Sequence, residues 1–212
     1  MSKILISGYY GFANAGDEAM LTAIIESLRQ VEKNVELTVL SGNPEDTAAK
    51  HQVCSVYRFN PLGIIRAMKD SELIISGGGS LLQDVTSKRS LLYYLSIIGL
   101  GKFFGKKVML FAQGIGPIRA KWARKLTSLV CNEADLITVR DSESAAELIE
   151  MGVKPEKITV TADSVLSLNP VTKECGQYLL QEAGVDLTKP VIGISVRLSL
   201  IHISEPTRLR CI

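Results

Sequence analysis

The chain has 212 residues, 46% hydrophobic and 22% charged, with 24 Lys+Arg against 22 Asp+Glu. That apolar fraction excludes intrinsic disorder, and a formal net charge of +2 gives no basic field for bulk nucleic-acid binding. At roughly 150 residues per domain the length corresponds to about 1.4 domains, more than one and less than two.

In chain order, short β-rich apolar runs alternate with helical patterns. The predicted strands are Lys3–Ser7, Val35–Leu40, Val53–Tyr57, Glu72–Ser76, Lys107–Ala112, Leu136–Arg140 and Lys157–Thr161. Several are apolar on both faces, as in Leu73-Ile74-Ile75 and Val108-Met109-Leu110-Phe111. Parallel strands covered on both sides have that composition. The first helix is expected from about Ala15 to Gln30, with Asn14 as N-cap and Asp17 imitating a capping box. Leu91–Leu100 reads as a buried helix, too short for the ~18–20 apolar residues of a membrane span. Another helix follows Pro117, which suits a first helical turn, and carries Trp122, Leu126, Leu129 and Val130. The next is expected between Asp141 as N-cap and Gly152 as C-cap. This alternation predicts an α/β fold with a doubly wound, mainly parallel sheet over residues 1–165.

After Asp163 the rhythm changes. Residues 166–189 read as a linker with one helix, Lys173–Ala183, and residues 190–197 as the first strand of a second α/β domain. The final fifteen residues, 198–212, have neither helix nor strand period and resemble a translated read-through rather than native sequence. Four cysteines without a CxxC pair read as buried or free thiols of a reducing compartment. The apolar run at Ile4-Leu5-Ile6 is too short for a signal peptide, so a cytoplasmic location is expected. With two histidines, His51 and His202, neither a catalytic triad nor a His-rich metal site is easily assembled.

Three glycine-rich segments fall at predicted strand ends, where open α/β sheets gather ligands. The first, Gly8–Glu18, fits neither GxGxxG nor a P-loop, because Asp17 stands where GxxxxGK[ST] has lysine. It is either a tight turn with a helix cap or a loop that hydrogen-bonds sugar hydroxyls. The second, Ser76–Asp84, holds three consecutive glycines, Gly77, Gly78 and Gly79. Their entropy cost calls for a close approach to a ligand or to a facing loop. The third, Phe111–Pro117, places Gln113 and Gly114 at a strand end; its two glycines serve either left-handed turn geometry or the same crevice, into which Gln113 would point. Arg140 and Asp163 either pair with each other or face that crevice. Arg197, at the end of the second domain's first strand, is either a surface salt bridge or an anion site.

Taken together, GYYGFANAGDEAML (Gly8–Leu21), SGGGSLLQDVTSKRSLLYYL (Ser76–Leu95), KKVMLFAQGIGPI (Lys106–Ile118), TVRDSES (Thr138–Ser144), TADSVL (Thr161–Leu166) and ISVR (Ile194–Arg197) resemble the polysaccharide pyruvyl transferase family, particularly its CsaB-like members. The resemblance implies the N-terminal Rossmann-like domain of a GT-B-like two-domain fold, with the site between the domains. It implies transfer of pyruvate from phosphoenolpyruvate, as donor substrate, to a sugar and no separate cofactor. The sugar would be N-acetylmannosamine of a secondary cell-wall polysaccharide or its lipid-linked precursor, and the pyruvate ketal would anchor S-layer proteins. A lipid-linked acceptor would bring the protein to the inner face of the cell membrane. The family's histidine and basic donor-site residues belong to the C-terminal half, so no catalytic residue is carried over and these residues alone are expected to be inactive. The substrate-facing candidates are Gly8, Asn14, Gly16, Asp17, Gly77, Gly78, Gly79, Gln83, Asp84, Gln113 and Gly114 on the acceptor side, with Arg197 for the donor. A nucleotide-sugar glycosyltransferase and a non-catalytic polysaccharide-binding module are the alternatives.

Overall fold

The structure is a computed structural model that describes residues 2–85 and 87–194. The chain divides into two compact units at Leu168/Asn169. The first is built on eight strands: β1 (Lys3–Tyr10), β2 (Glu36–Ser41), β3 (Cys54–Tyr57), β4 (Leu73–Ser76), β5 (Gly79–Leu82), β6 (Lys107–Ile115), β7 (Leu136–Val139) and β8 (Ile158–Val160). Every pairing is parallel, in the order β3-β2-β1-β4-β6-β7-β8, with β5 beside β6. The helices are α1 (Ala15–Val31), α2 (Pro44–His51), α3 (Pro61–Asp70), α4 (Lys88–Phe103), α5 (Lys121–Glu133) and α6 (Ser142–Glu150). This is the doubly wound, Rossmann-like α/β architecture that the strand–helix alternation predicts.

Alternate side chains of each strand enter opposite layers. Ile4, Ile6 and Tyr10 join Leu37, Val39 and Ile75 under Leu21, Ile24 and Ile25 of α1. Leu5, Leu40, Ile74, Val108, Leu110 and Ile137 pack in the other layer with residues of α3 to α6. Helix α4 buries Leu91, Tyr94, Leu95, Ile97, Ile98 and Gly101, so the apolar run is core. No described helix is long and apolar enough to cross a membrane. Among the cysteines, Cys131 is fully buried, and burial pushes its thiol up to about 12. Cys54 and Cys175 are free and exposed.

Three elements were not anticipated. Helices α2 and α3 each open on an Asn-Pro pair, Asn43-Pro44 and Asn60-Pro61, with the asparagine oxygen accepting from Asp46 N (3.4 Å) and Gly63 N (3.0 Å). An N-cap asparagine before proline at the first helical position is a legible start signal. Strand β5 continues β4 along β6: Ser76 pairs Leu110 and Gly79 pairs Gln113, the same offset, with Gly77-Gly78 leaving the ladder between them. Helix α5 begins at Lys121, not near Pro117 as expected. Asp84 accepts from Arg119 N (2.9 Å) and Ala120 N (2.8 Å), satisfying donors at that entry and holding the intervening loop outside the helix. The buried stripe of α5 is Ala123, Thr127 and Cys131, which leaves Trp122 and Leu129 exposed.

One rim contact carries a pH prediction. Burial would raise the Asp135 carboxyl, but hydrogen bonds from Lys102 Nζ (2.7 Å), Val108 N (2.8 Å) and Lys107 Nζ (3.3 Å) outweigh it and hold the group at about 2. A carboxyl held below its unfolded value of 3.8 contributes stability that is present above that value and is lost as pH falls toward about 2. Urea midpoints measured from pH 6 downward are expected to fall less steeply for Asp135→Asn than for the parent over that window. Parallel curves would contradict it.

In the second unit, α7 (Lys173–Glu182) is capped by Thr172, whose Oγ1 accepts from Cys175 N (3.3 Å). Its limits match the expected Lys173–Ala183 helix. Of the expected strand over residues 190–197, residues 190–194 are not in a strand and the rest lies outside the described residues. A strand without a ladder leaves its backbone groups unpaired. Arg197 and residues 198–212 lie outside the described residues.

Candidate functional site

The strand order reverses between β1 and β4: β2 and β3 extend from one side of β1, and β4 onward from the other. In open α/β sheets the carboxyl ends of strands at such a switch point form the ligand crevice. The Gly8–Glu18 segment leaves β1 there and Gly77–Gly79 leaves β4, so the topology brings the first two glycine-rich segments together.

Much of the glycine content at this rim answers to packing inside the protein. Tyr10 is fully buried, with its ring laid across Gly8 and its hydroxyl against Gly77. A Cβ on Gly8 would lie 2.3 Å from Tyr10 Cζ, and one on Gly77 would lie 2.1 Å from the Tyr10 oxygen. Gly78 faces Met20 and Ser164, and Gly79 faces Asp17 Oδ1 and Met20. The facing group that the triple glycine calls for is therefore the start of α1 and Tyr10.

The β1–α1 segment is itself tightly held. Asn14 caps α1, its Oδ1 accepting from Gly16 N (3.0 Å) and Asp17 N (3.3 Å). Glu18 reaches back across the loop: Oε1 accepts from Gly11 N (2.8 Å), while Oε2 lies 3.3 Å from His51 Nε2. Gln113 corrects an expectation. Its side chain is fully buried, and Nε2 donates to Ser76 Oγ (2.7 Å) and to the carbonyls of Gly77 (3.1 Å) and Ser76 (3.3 Å). It cross-links β6 to the point where β4 breaks and does not project into a crevice. Asp84 uses both carboxylate oxygens on the α5 entry, and Gln83 lies half-buried beside it.

A partly exposed polar cluster at this edge gathers on Arg140, at the end of β7. Its guanidinium lies across Gly114, where a Cβ would fall 2.7 Å from Arg140 Cζ. Nε meets Asp141 Oδ2 (3.3 Å), Nη1 meets Asp163 Oδ2 (3.4 Å) and Nη2 donates to Ser80 Oγ (3.3 Å). The sequence left open whether Arg140 pairs with Asp163 or faces the crevice; it does the first while remaining one-third exposed. Asp141 also caps α6, its Oδ1 accepting from Ser144 N (2.7 Å), and that bond from Ser144 holds its carboxyl below the usual range. The result is a polar edge with an oriented guanidinium, two flanking carboxylates and the hydroxyl of Ser80. Such a set can donate to an anion and accept from sugar hydroxyls. Two grooves on the described surface lie elsewhere. One, of about 470 Å³, runs beside β3 and α3, and the other lies at the amino ends of the strands near Ile4 and Leu73.

The family model for polysaccharide pyruvyl transferase matches residues 14–195. The chain belongs to the polysaccharide pyruvyl transferase family. No curated protein matches it by sequence. Among solved structures, this pyruvyl transferase family member is similar to Anabaena Alr3699/HepE in complex with UDP and glucose. The identity is 12% and the TM-score 0.55, covering 87% of this chain and 50% of the other. It is also similar to UDP-GlcNAc 2-epimerase from Neisseria meningitidis bound to UDP-GlcNAc, at 13% identity and TM-score 0.50, covering 85% and 50%. The chain spans about half the length of the solved structures it matches. At these identities the likeness concerns the fold alone, a parallel Rossmann-like α/β unit. Within the family member's rim, two residues were missed from sequence. They are Ser80, on the unanticipated β5, and Arg58, which follows the predicted strand Val53–Tyr57 as Arg140 follows β7.

Proposed function

We propose that these residues form the acceptor-facing wall of a polysaccharide pyruvyl transferase. In the reaction, the methylene carbon of phosphoenolpyruvate gains a proton and C2 becomes electrophilic. One sugar hydroxyl adds at C2, a second displaces phosphate, and the two hydroxyl protons leave to a base. The products are a cyclic pyruvate ketal, which keeps the donor's carboxylate charge, and inorganic phosphate. We propose N-acetylmannosamine of a secondary cell-wall polymer, or of its lipid-linked precursor, as the acceptor, and anchoring of S-layer proteins as the use of the ketal.

The observation that carries this reading is the Arg140 edge. Carboxylates at Asp141 and Asp163 flank its one guanidinium, a balance suited to hydroxyl-rich ligands more than to a doubly charged donor. The donor's carboxylate and phosphate need further cations, for which Arg197 remains the proposed residue. The test is phosphate release from phosphoenolpyruvate by the protein expressed from its full reading frame, with and without N-acetylmannosamine-containing acceptor. Acceptor-dependent release with ketal formation is the expected result. Release of UDP from a UDP-sugar, with phosphoenolpyruvate inert, would instead establish the nucleotide-sugar reading that the HepE-like fold keeps open. Binding of the polymer without turnover of either donor would establish a binding module.

A further inference from the structure

Arg58 takes no part in the Arg140 cluster, and its surroundings are unusual. It directly follows β3, and its backbone N–H donates to Ser41 O (2.9 Å) at the end of β2. It therefore sits on the same carboxyl edge of the sheet as the glycine-rich segments. Only 5% of the residue is exposed. A buried charge is normally matched by an opposite charge, yet no carboxylate lies within ion-pair distance of Arg58 among the described residues. Its Nε is buried without a hydrogen-bond partner, and Nη2 has one long bond to the Tyr94 hydroxyl (3.5 Å).

Aromatic rings stand where an acid would be expected. The guanidinium carbon lies 4.4 Å from the centroid of Tyr93, 5.2 Å from Phe59, 5.3 Å from Phe12 and 5.5 Å from Tyr94. Ring faces stabilise a cation but give its Nε no acceptor. The same rim is where aromatic surface is left open: Phe59 is 62% exposed and Tyr57, edge-on to it at 5.9 Å, is 48% exposed. Tyr9 and Phe12, stacked at 4.4 Å, are also exposed. A guanidinium that keeps an unmet Nε donor and has no paired acid suits a phosphate-type oxyanion, and exposed rings beside it offer an apolar face to a sugar ring.

We propose that the Arg58 rim binds a phosphate-bearing sugar, the guanidinium taking the phosphate and the exposed Phe59–Tyr57 pair the ring. Naming that sugar as part of the acceptor rests on the transferase reading; binding itself does not. The phosphate could be carried on a glycan or shared with a lipid carrier, and the chemistry at Arg58 is the same for both.

The test is calorimetric titration of the chain at fixed ionic strength with glucose, inorganic phosphate, glucose 1-phosphate and phosphoenolpyruvate. Glucose 1-phosphate is expected to bind at least 10-fold more tightly than inorganic phosphate, with glucose alone undetected. Arg58→Gln is expected to remove phosphate recognition, and Phe59→Ala, a change at an exposed ring, to reduce glucose 1-phosphate to the affinity of phosphate. Lys154→Gln, at an exposed position between α6 and β8, is expected to leave both unchanged. Arg58→Lys, which keeps the charge, serves where Arg58→Gln fails to fold, and should retain weakened binding. No saturable phosphate binding, binding indifferent to Arg58, or phosphoenolpyruvate preferred over glucose 1-phosphate would each overturn the proposal. Polymer carrying phosphate should then have a lower KM in the full-length enzyme than dephosphorylated polymer. Absence of turnover with either polymer would count against the transferase reading and leave the binding result standing.

Discussion

On the proposed transferase reading, replacing Arg140 with methionine is expected to lower kcat/KM for the acceptor by about 10- to 100-fold. The reasoning starts from geometry. The guanidinium is fixed in place by Asp141, Asp163 and Ser80 and lies flat over Gly114. It therefore reaches a ligand already oriented, and little side-chain entropy is lost on binding. Charge-assisted hydrogen bonds of this kind contribute about 1.5–3 kcal/mol, and each 1.4 kcal/mol is a factor of ten. Stability should change by less than about 1 kcal/mol, because the ion pairs are partly exposed. Gly114→Ala offers an independent check. It keeps the charge but forces the guanidinium off its seat, and is expected to raise KM. Unchanged kinetics in both variants would remove Arg140 from the binding edge.

Tyr10→Ala is expected to destabilise the first unit by about 3–5 kcal/mol, the usual range for emptying a buried aromatic site. The void would open under Gly8 and Gly77, which have no side chains to fill it, so little relaxation is available. Tyr10→Phe should be neutral or slightly stabilising, because the hydroxyl is buried and its oxygen has no hydrogen-bond partner. Chemical denaturation of the three proteins tests this. A loss of more than about 1 kcal/mol in Tyr10→Phe would show that the hydroxyl is anchored after all. Burial also raises the Tyr10 hydroxyl well above its ordinary value, so no alkaline transition from this group is expected below pH 10.

The fold was legible because its signals are local. Apolar runs such as Leu73-Ile74-Ile75 can be covered only on two faces, and Asn14, Asp141 and Thr172 cap helices with their own side chains. Even the missed helices α2 and α3 carried an Asn-Pro start that local rules can read. The resemblance of the ordered motifs is met by the family model over residues 14–195, at the level of the family.

The site was legible only as an address. Glycine-rich segments at strand ends correctly marked the carboxyl edge, since chain order alone places them there. What each residue does on that edge depends on partners distant in sequence. Gln113 turns inward because Ser76 and Gly77 present acceptors to it from another strand. Gly77 is bare because the hydroxyl of Tyr10 occupies the space of its Cβ. Arg140 lies flat because Gly114 has no side chain to lift it, and Arg58 is buried among rings drawn from three separate segments. The sequence by itself determined a parallel α/β unit and the carboxyl edge on which the candidate residues lie, because periodicity and caps act over a few residues. Only the tertiary structure decided which polar groups on that edge are spent on the protein itself and which are left for a ligand. That division is set by contacts across strands, and no single segment encodes it.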